Sequence, residues 1–276
     1  MIEAKWKTIF RYVILIAFLV IILLPFYWMF ITSFKTDFAL GAYPPSLFPV
    51  HWTLQHYVEA FTKYGFGTYI RNSVVVSLVS TFLVLTFASM AGFSVAQLPV
   101  RGKTPLLVMF LVISMFPAIA IMSPLYMLLR HLNWLNSYQA LIIPYTAFNL
   151  PFAIWILRNY FLQLPKALLE AARVDGASIF QSFYRIYLPL TTPGMFTAAV
   201  FTFVASWTEF FMALTFNQNN SMRTIPVGIA LFSGQYTIPY GTIFAGSVVS
   251  IVPIILLTIL FRKWIVSGLT SGAVKG

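Results

Sequence analysis

The sequence predicts an all-α polytopic membrane protein with six transmembrane helices. Its 276 residues are 60% hydrophobic and only 8% charged, whereas soluble domains carry roughly 25% charged residues. Such a surface suits hydrocarbon, where a charged side chain is costly and an apolar one is not. Six uncharged stretches approach or exceed the ~20 residues that a helix needs to cross a bilayer. These observations predict a single membrane domain that comprises residues 1–276.

The expected helices are located by stretches with no charged residue or, in the fifth, with Glu209 alone. In chain order they are Tyr12–Phe34, a stretch within Asn72–Val100, a stretch within Thr104–Leu129, a stretch within Leu132–Leu157 that continues toward Phe161, a stretch from Leu190 through Glu209 toward Phe216, and the end of Thr224–Phe261. The first stretch is too long for the apolar region of a signal peptide, which has roughly 7–15 residues. It is therefore interpreted as a transmembrane helix.

The basic residues orient these helices. The net charge of +11 comes from 17 basic and 6 acidic residues, and most of the basic ones lie in alternate loops and at the two ends of the chain. Because cytoplasmic loops are enriched in Lys and Arg, both termini are expected in the cytoplasm. This placement explains the positive charge without nucleic acid as a partner. External loops are then expected at residues 35–70 and 217–240, and a cytoplasmic tail at 267–276.

The cytoplasmic loop of residues 162–190, called the knob below, carries the strongest local signals. Pro165 suits the first turn of a helix, and Gly176 suits its end because glycine tolerates the left-handed conformation. Ser178 and Gln181 have the spacing of a capping box that begins a second helix. The apolar stripe expected on that second helix consists of Ile179, Phe183, Ile186 and Leu190. Such a knob could simply connect two spans or could dock a partner, and these residues leave both alternatives open.

The knob also contains a recognisable motif. Glu170, Ala171 and Ala172, then Gly176, and then Leu188 and Pro189 resemble the EAA loop of binding-protein-dependent ABC importer permeases. The resemblance extends over nearly the whole chain and is strongest for the maltose/trehalose-type subfamily, in particular the smaller of its two permease subunits. It implies the type I ABC importer permease fold.

This resemblance implies roles and partners. The residues expected to couple the chain to an ATPase are Glu170, Ala171, Ala172, Asp175, Gly176 and Pro189. The implied partners are two copies of a cytoplasmic ATPase subunit, a second homologous permease, an extracytoplasmic sugar-binding protein and the lipid bilayer. ATP and Mg would be bound by the ATPase, so no cofactor is expected on this chain. The implied location is the inner membrane of a bacterium or an archaeon.

Three residues within the expected spans are candidates for the substrate pathway. An ionisable residue inside a membrane usually serves a function, so Glu209 is expected to hydrogen-bond a sugar that stacks on Trp207. Asn72 could also line the pathway. The alternative for Glu209 is a structural role at the interface, and for Asn72 it is a cap or an interhelical hydrogen bond.

Few residues could support other functions. Only one acidic residue lies within an expected span, which disfavours a lipid-modifying enzyme and a stand-alone secondary carrier. No catalytic residue or metal site is expected, because the three histidines, His51, His56 and His131, lack a carboxylate cluster. The expected function is ATP-driven import of a sugar of disaccharide or oligosaccharide size. A permease for another polar solute, such as a polyol, remains the alternative.

Overall fold

The computed structural model describes residues 2–232 and 238–270, which contain helices and turns but no β-strand. The α-helices are α1 Ile2–Ser33, α2 Asp37–Leu40, α3 Gln55–Thr62, α4 Phe66–Gln97, α5 Lys103–Met115, α6 Ala118–His131, α7 Gln139–Leu162, α8 Ala167–Val174, α9 Ile179–Ser182, α10 Leu188–Leu190, α11 Thr192–Thr208, α12 Phe211–Phe216, α13 Ile225–Ala230 and α14 Tyr240–Thr270. A π-helical turn covers Phe183–Tyr187, and a 3₁₀ turn covers Asn220–Met222. The predicted all-α class is confirmed.

Within the described residues, four helices are individually long and apolar enough to cross a membrane, namely α1, α4, α7 and α14. A fifth is counted if Ile179–Leu190 and α11 form one span, although the two are bent by 77°. The third expected span is divided into two short helices, α5 and α6.

The break in the third span has a local cause. Phe116 leaves the helical conformation with ψ 130°, and Pro117 follows with ψ 115°. A residue before proline is disfavoured in the α conformation, and proline has no N–H to continue the helical hydrogen bonds. The result is α5 with 13 residues and α6 with 14 residues, each too short to span a bilayer alone.

The described residues divide into two compact units. Among the described residues, the first comprises 2–67, 229–232 and 238–252, and the second comprises 68–228 and 253–270. In the first unit, Ser33 at the end of α1 lies 2.8 Å from the Tyr57 hydroxyl oxygen. Glu59 in α3 accepts a hydrogen bond of 3.3 Å from Thr242 at the start of α14. These polar contacts join α3 to the ends of the two long helices of the first unit.

The second unit contains two apolar clusters. One joins α4, α7 and the knob through Phe93, Phe161, Phe183 and Tyr187. The other joins α6, α7 and α12 and includes Leu129, Leu141, Tyr145, Met212 and Phe216. The first cluster fixes the knob against two long helices, whereas the second supports the half-helix α6.

The segments expected between spans contain more structure than a loop. Residues 35–70 include α2, α3 and the first turn of α4, and residues 217–240 include the 3₁₀ turn and α13. Residues 233–237 lie outside the described part of the second segment. Helix α14 continues through Thr270, so four residues of the expected tail, 267–270, are helical, and residues 271–276 lie outside the described residues.

Candidate coupling surface and translocation residues

The knob has the two-helix form that its sequence predicts. Helix α8 ends one residue before Asp175, and Gly176 has φ +80°, a conformation that glycine adopts without steric cost. The Ser178 hydroxyl accepts a hydrogen bond of 3.2 Å from Gln181 N, and the Gln181 carbonyl oxygen accepts one of 2.8 Å from Ser178 N. The predicted turn and capping box are confirmed, so the two helices have fixed boundaries.

The predicted apolar stripe of the second knob helix was wrong in its phase. Ile179 and Leu190 are exposed and Ile186 is half-buried, whereas Phe183 and Tyr187 are buried. The π-helical turn over Phe183–Tyr187 explains the shift, because it inserts an extra residue into the helical period. Tyr187 thereby replaces Ile186 in the core of the knob.

Two residues that the sequence did not single out attach the knob to α4 and α7. Gln97, the last residue of α4, donates through Nε2 to the carbonyl oxygens of Phe161 and Leu164, the latter at 3.2 Å. The Tyr187 hydroxyl lies 3.5 Å from Gln97 Oε1 and 3.4 Å from the Pro165 carbonyl oxygen. The sequence signal for this attachment is the single amide of Gln97 at the end of an apolar helix.

The candidate coupling residues differ in exposure. Ala172 is buried with Leu169 against the core of the second unit. The exposed members are Glu170, Ala171, Asp175, Gly176 and Pro189. Within the described residues, the carboxylates of Glu170 and Asp175 have no hydrogen-bond or ion-pair partner. Both charges therefore remain available to another molecule.

Large apolar side chains lie on the same knob. Val174 is 87% exposed, Phe180 is 65% exposed and Tyr184 is 63% exposed. Exposed apolar and aromatic side chains next to charged ones are typical of protein–protein interfaces. The knob is thus rigid at its base and apolar on its outer side, a combination suited to transmitting movement from a docked partner.

Asn72 is fully buried and satisfied by protein groups. Its Nδ2 donates to the carbonyl oxygens of Ser221 and Arg223, both at 2.9 Å, and its Oδ1 accepts a 2.9 Å hydrogen bond from the Tyr138 hydroxyl. These bonds hold the segment after α12 against α4 and the start of α7. The structure places Asn72 as an interhelical clamp, the structural alternative that the sequence left open.

Glu209 marks the end of α11 and caps the next helix. Oε1 accepts a 2.8 Å hydrogen bond from Met212 N, and Oε2 accepts hydrogen bonds from Ala213 N at 3.1 Å and from the Tyr145 hydroxyl at 2.6 Å. The first N–H groups of a helix have no partner within that helix and favour a negative charge. The carboxylate therefore stabilises the break between α11 and α12, although it is only half-buried.

Trp207 is buried beside another aromatic ring. It is 3% exposed and stacks on Phe203 with ring centroids 5.4 Å apart and an interplanar angle of 21°. Both rings line a cavity of about 420 Å³ formed by α4, α11 and α14, with almost entirely apolar walls. The pairing of Trp207 and Glu209 on one sugar stays a prediction.

The knob and Glu209 lie within the segment that matches a known family, and Asn72 precedes it. Residues 85–270 match the family model of the binding-protein-dependent transport system inner membrane component. The chain belongs to this family. Its members are membrane-embedded permease subunits of ABC transporters, which are transport components and not enzymes, and which act together with an ATPase and a binding protein.

Relatives with curated descriptions cover almost the full length of this family member. The chain is 39% identical to the trehalose/maltose transport system permease protein MalG of Thermococcus litoralis, covering 99% of both chains. It is 38% identical to the sulfoquinovosyl glycerol transport system permease protein SmoH of Agrobacterium fabrum, covering 92% of this chain and 89% of the relative.

A solved structure shares the fold. The crystal structure of a bacterial ABC transporter involved in the import of the acidic polysaccharide alginate contains a chain that matches with a TM-score of 0.81. The match covers 95% of this chain and 97% of the other at 22% identity. The predicted ABC importer permease fold is therefore confirmed. The family match and the apolar helices show a multi-pass component of the inner membrane.

Proposed function

We propose that this chain is one of two homologous permease subunits of an ATP-driven, binding-protein-dependent importer for a sugar of disaccharide or oligosaccharide size. The similarity to a trehalose/maltose permease over 99% of both chains supports the solute class. The second permease completes the pathway, and an extracytoplasmic sugar-binding protein delivers the solute.

The observation that carries the proposal is the outer side of the knob. Val174, Phe180 and Tyr184 expose large apolar surfaces beside the unpartnered carboxylate of Glu170. An ATPase subunit with an apolar cleft and a basic residue is complementary to this surface. Each of two ATPase copies docks one permease, and their ATP-driven closure moves the knobs. ATP and Mg are bound there, and this chain carries no cofactor.

The distribution of basic residues supports an orientation with both termini and the knob in the cytoplasm. Residues 35–70 and 217–240 then face the binding protein, and residues 267–276 lie on the ATPase side. The chain has no cysteine, so single cysteines report the orientation directly. An impermeant thiol reagent added to intact cells is expected to label Val58→Cys and spare Val174→Cys, and the reverse pattern would overturn the orientation.

Reconstitution tests the function. The chain is co-expressed with its ATPase, second permease and binding protein, and ATP-dependent uptake into proteoliposomes is measured for sugars and polyols that the binding protein retains. A stable heteromeric complex that imports a sugar is expected. A homomer with full transport activity, or a complex that imports only polyols, would contradict the proposal.

A matched pair of variants tests the knob. Val174→Asp puts a charge on the apolar surface that docks the ATPase, so the ATPase is expected to dissociate during purification. Val58→Asp introduces the same change at an exposed position of α3 and is expected to retain the ATPase. Equal retention of the ATPase by both variants would show that the knob does not dock it.

A further inference from the structure

A groove between α6 and the end of α12 combines aromatic, amide and hydroxyl side chains. It has a volume of about 470 Å³ and is lined by Ile119, Met122, Ser123, Tyr126, Thr215 and Gln218. The four α6 residues follow the spacing of one helical face, with steps of three, one and three residues. A single face of the half-helix α6 therefore forms one wall of the groove.

The α6 helix is fixed behind this wall. Leu129 on α6 is buried in the apolar cluster with α7 and α12, and Leu125 packs against the same cluster. The ring of Tyr126 lies 6.5 Å from the ring of Phe216, at an interplanar angle of 32°. Tyr126 is thus held on one side by α12 while it lines the groove. A ring held in this way can bind a flat apolar surface with little loss of side-chain entropy.

The lining combines apolar and polar side chains and includes no charged one. Ser123 and Gln218 are exposed, and the Gln218 amide makes only a long 3.4 Å hydrogen bond to the Thr215 carbonyl oxygen. Arg223 approaches this end by donating to the carbonyl oxygen of Gln218 at 3.2 Å, and it is not among the lining residues. An aromatic ring with an amide and a hydroxyl suits a molecule with apolar C–H faces and many hydroxyl groups.

The other large cavity of the second unit lacks this chemistry. The cavity that contains Trp207 has almost entirely apolar walls, and burying sugar hydroxyls there without partners would cost several kcal/mol. Within the described residues, the groove beside α6 therefore suits a saccharide better than the surroundings of Trp207.

We propose that the groove is this chain's contact surface for an uncharged saccharide, with Tyr126 stacking on a sugar ring and Ser123 and Gln218 hydrogen-bonding its hydroxyls. The inference rests on the proposed function, since it places the solute of that importer. It also separates this chain from importers of anionic glycosides, because an anionic solute would require a cation in the lining.

The first test uses kinetics of the reconstituted heteromeric complex. Uptake of maltose, trehalose and maltotriose identifies the transported sugar, and digalacturonate serves as a charged comparison. Tyr126→Ala and Gln218→Ala are each expected to raise the KM for the neutral sugar about 5- to 10-fold, the loss of one stacking contact or one or two hydrogen bonds.

Two neighbouring substitutions are matched controls. Met127→Ala changes an exposed residue of α6 outside the groove, and Asn220→Ala changes an exposed amide just after Gln218. Both are expected to keep the wild-type KM. Tyr126→Phe retains the ring and is expected to change the KM less than twofold, which separates the contribution of the ring from that of the hydroxyl.

A second test avoids truncation of the groove. In this cysteine-free chain, Ser123→Cys provides a small thiol in the groove, and Met127→Cys provides one beside it. A bulky thiol reagent is expected to block uptake in Ser123→Cys, and the transported sugar is expected to slow the reaction. Met127→Cys is expected to react without loss of uptake.

The outcomes separate the groove from the proposed function. A wild-type complex that imports none of the saccharides contradicts the proposed function itself. A wild-type complex that imports a neutral sugar, with unchanged KM in Tyr126→Ala and Gln218→Ala and unblocked Ser123→Cys, overturns the groove alone. Preference of the wild-type complex for digalacturonate over neutral sugars overturns the uncharged specificity.

Discussion

The polar side chains of the knob and those within the spans differ in what they contact. Asn72 and Glu209 each make three hydrogen bonds to protein groups. Glu170 and Asp175 on the knob are exposed and have no side-chain partner among the described residues. The same contrast holds for aromatic residues, since Phe183 is buried at the base of the knob and Phe180 is 65% exposed on its outer side.

This difference shows that a polar side chain within a membrane, although costly to bury, can have all its hydrogen bonds made within the protein. A polar group in hydrocarbon must be satisfied, and the breaks in these helices create main-chain groups that need such partners. Asn72 and Glu209 provide them. Free charges and apolar surfaces on the knob have no such structural use, and they are the better candidates for contact with another protein.

The largest expected effect separates the two sides of the knob. Phe183→Ala removes a ring from the core cluster and is expected to lower stability by about 3–5 kcal/mol, seen as a lower melting temperature of the purified complex. Phe180→Ala removes an equal volume from the exposed side and is expected to keep the melting temperature while weakening ATPase retention. A large stability loss in Phe180→Ala would contradict this division.

The next effect concerns the clamp at Asn72. Asn72→Leu leaves the carbonyl oxygens of Ser221 and Arg223 and the hydroxyl of Tyr138 without their partner. We expect a loss of about 1–2 kcal/mol in stability, measured as a lower melting temperature. Asn220→Ala, an exposed amide nearby, is the control and should be neutral. An unchanged melting temperature in Asn72→Leu would show that the clamp is dispensable.

The sequence predicted the local structure of the knob well because the signals act over a few residues. Gly176 and the pair Ser178 and Gln181 dictate a turn and a cap by their own chemistry, and all three behave as predicted. The π-helical turn after Ser182 was not predicted, because a periodic stripe gives no sign of one extra residue. Its consequence is the burial of Tyr187 in place of Ile186.

The spans illustrate the opposite case. Low charge located each stretch, whereas the break in the third one follows from the local chemistry of Phe116 and Pro117. For Glu209 and Asn72 the sequence stated both alternatives, and only the tertiary contacts with Tyr145 and Tyr138 favour the structural ones. The groove beside α6 was missed because Tyr126 and Gln218 lie far apart in the chain and neither belongs to a motif.

The smallest expected effect is the most informative about the break in the fifth span. Glu209→Gln keeps the shape of the side chain but replaces one acceptor oxygen with an NH2 group. That group cannot accept from Met212 N or Ala213 N, so one N–H of α12 loses its partner. We expect a stability loss of about 1 kcal/mol, measured as a small decrease in the melting temperature of the complex.

The KM for the transported sugar shows whether Glu209 only caps α12 or also binds the sugar. If Glu209 only caps α12, Glu209→Gln is expected to keep the KM for the transported sugar within twofold of the wild-type value. Tyr145→Phe, which removes the hydroxyl donor to Glu209, should behave in the same way. A KM raised tenfold in Glu209→Gln, with unchanged melting temperature and a wild-type KM in Tyr145→Phe, would instead assign the carboxylate to the substrate pathway. The two observables together therefore distinguish a capping carboxylate from a sugar ligand, which stability alone cannot do.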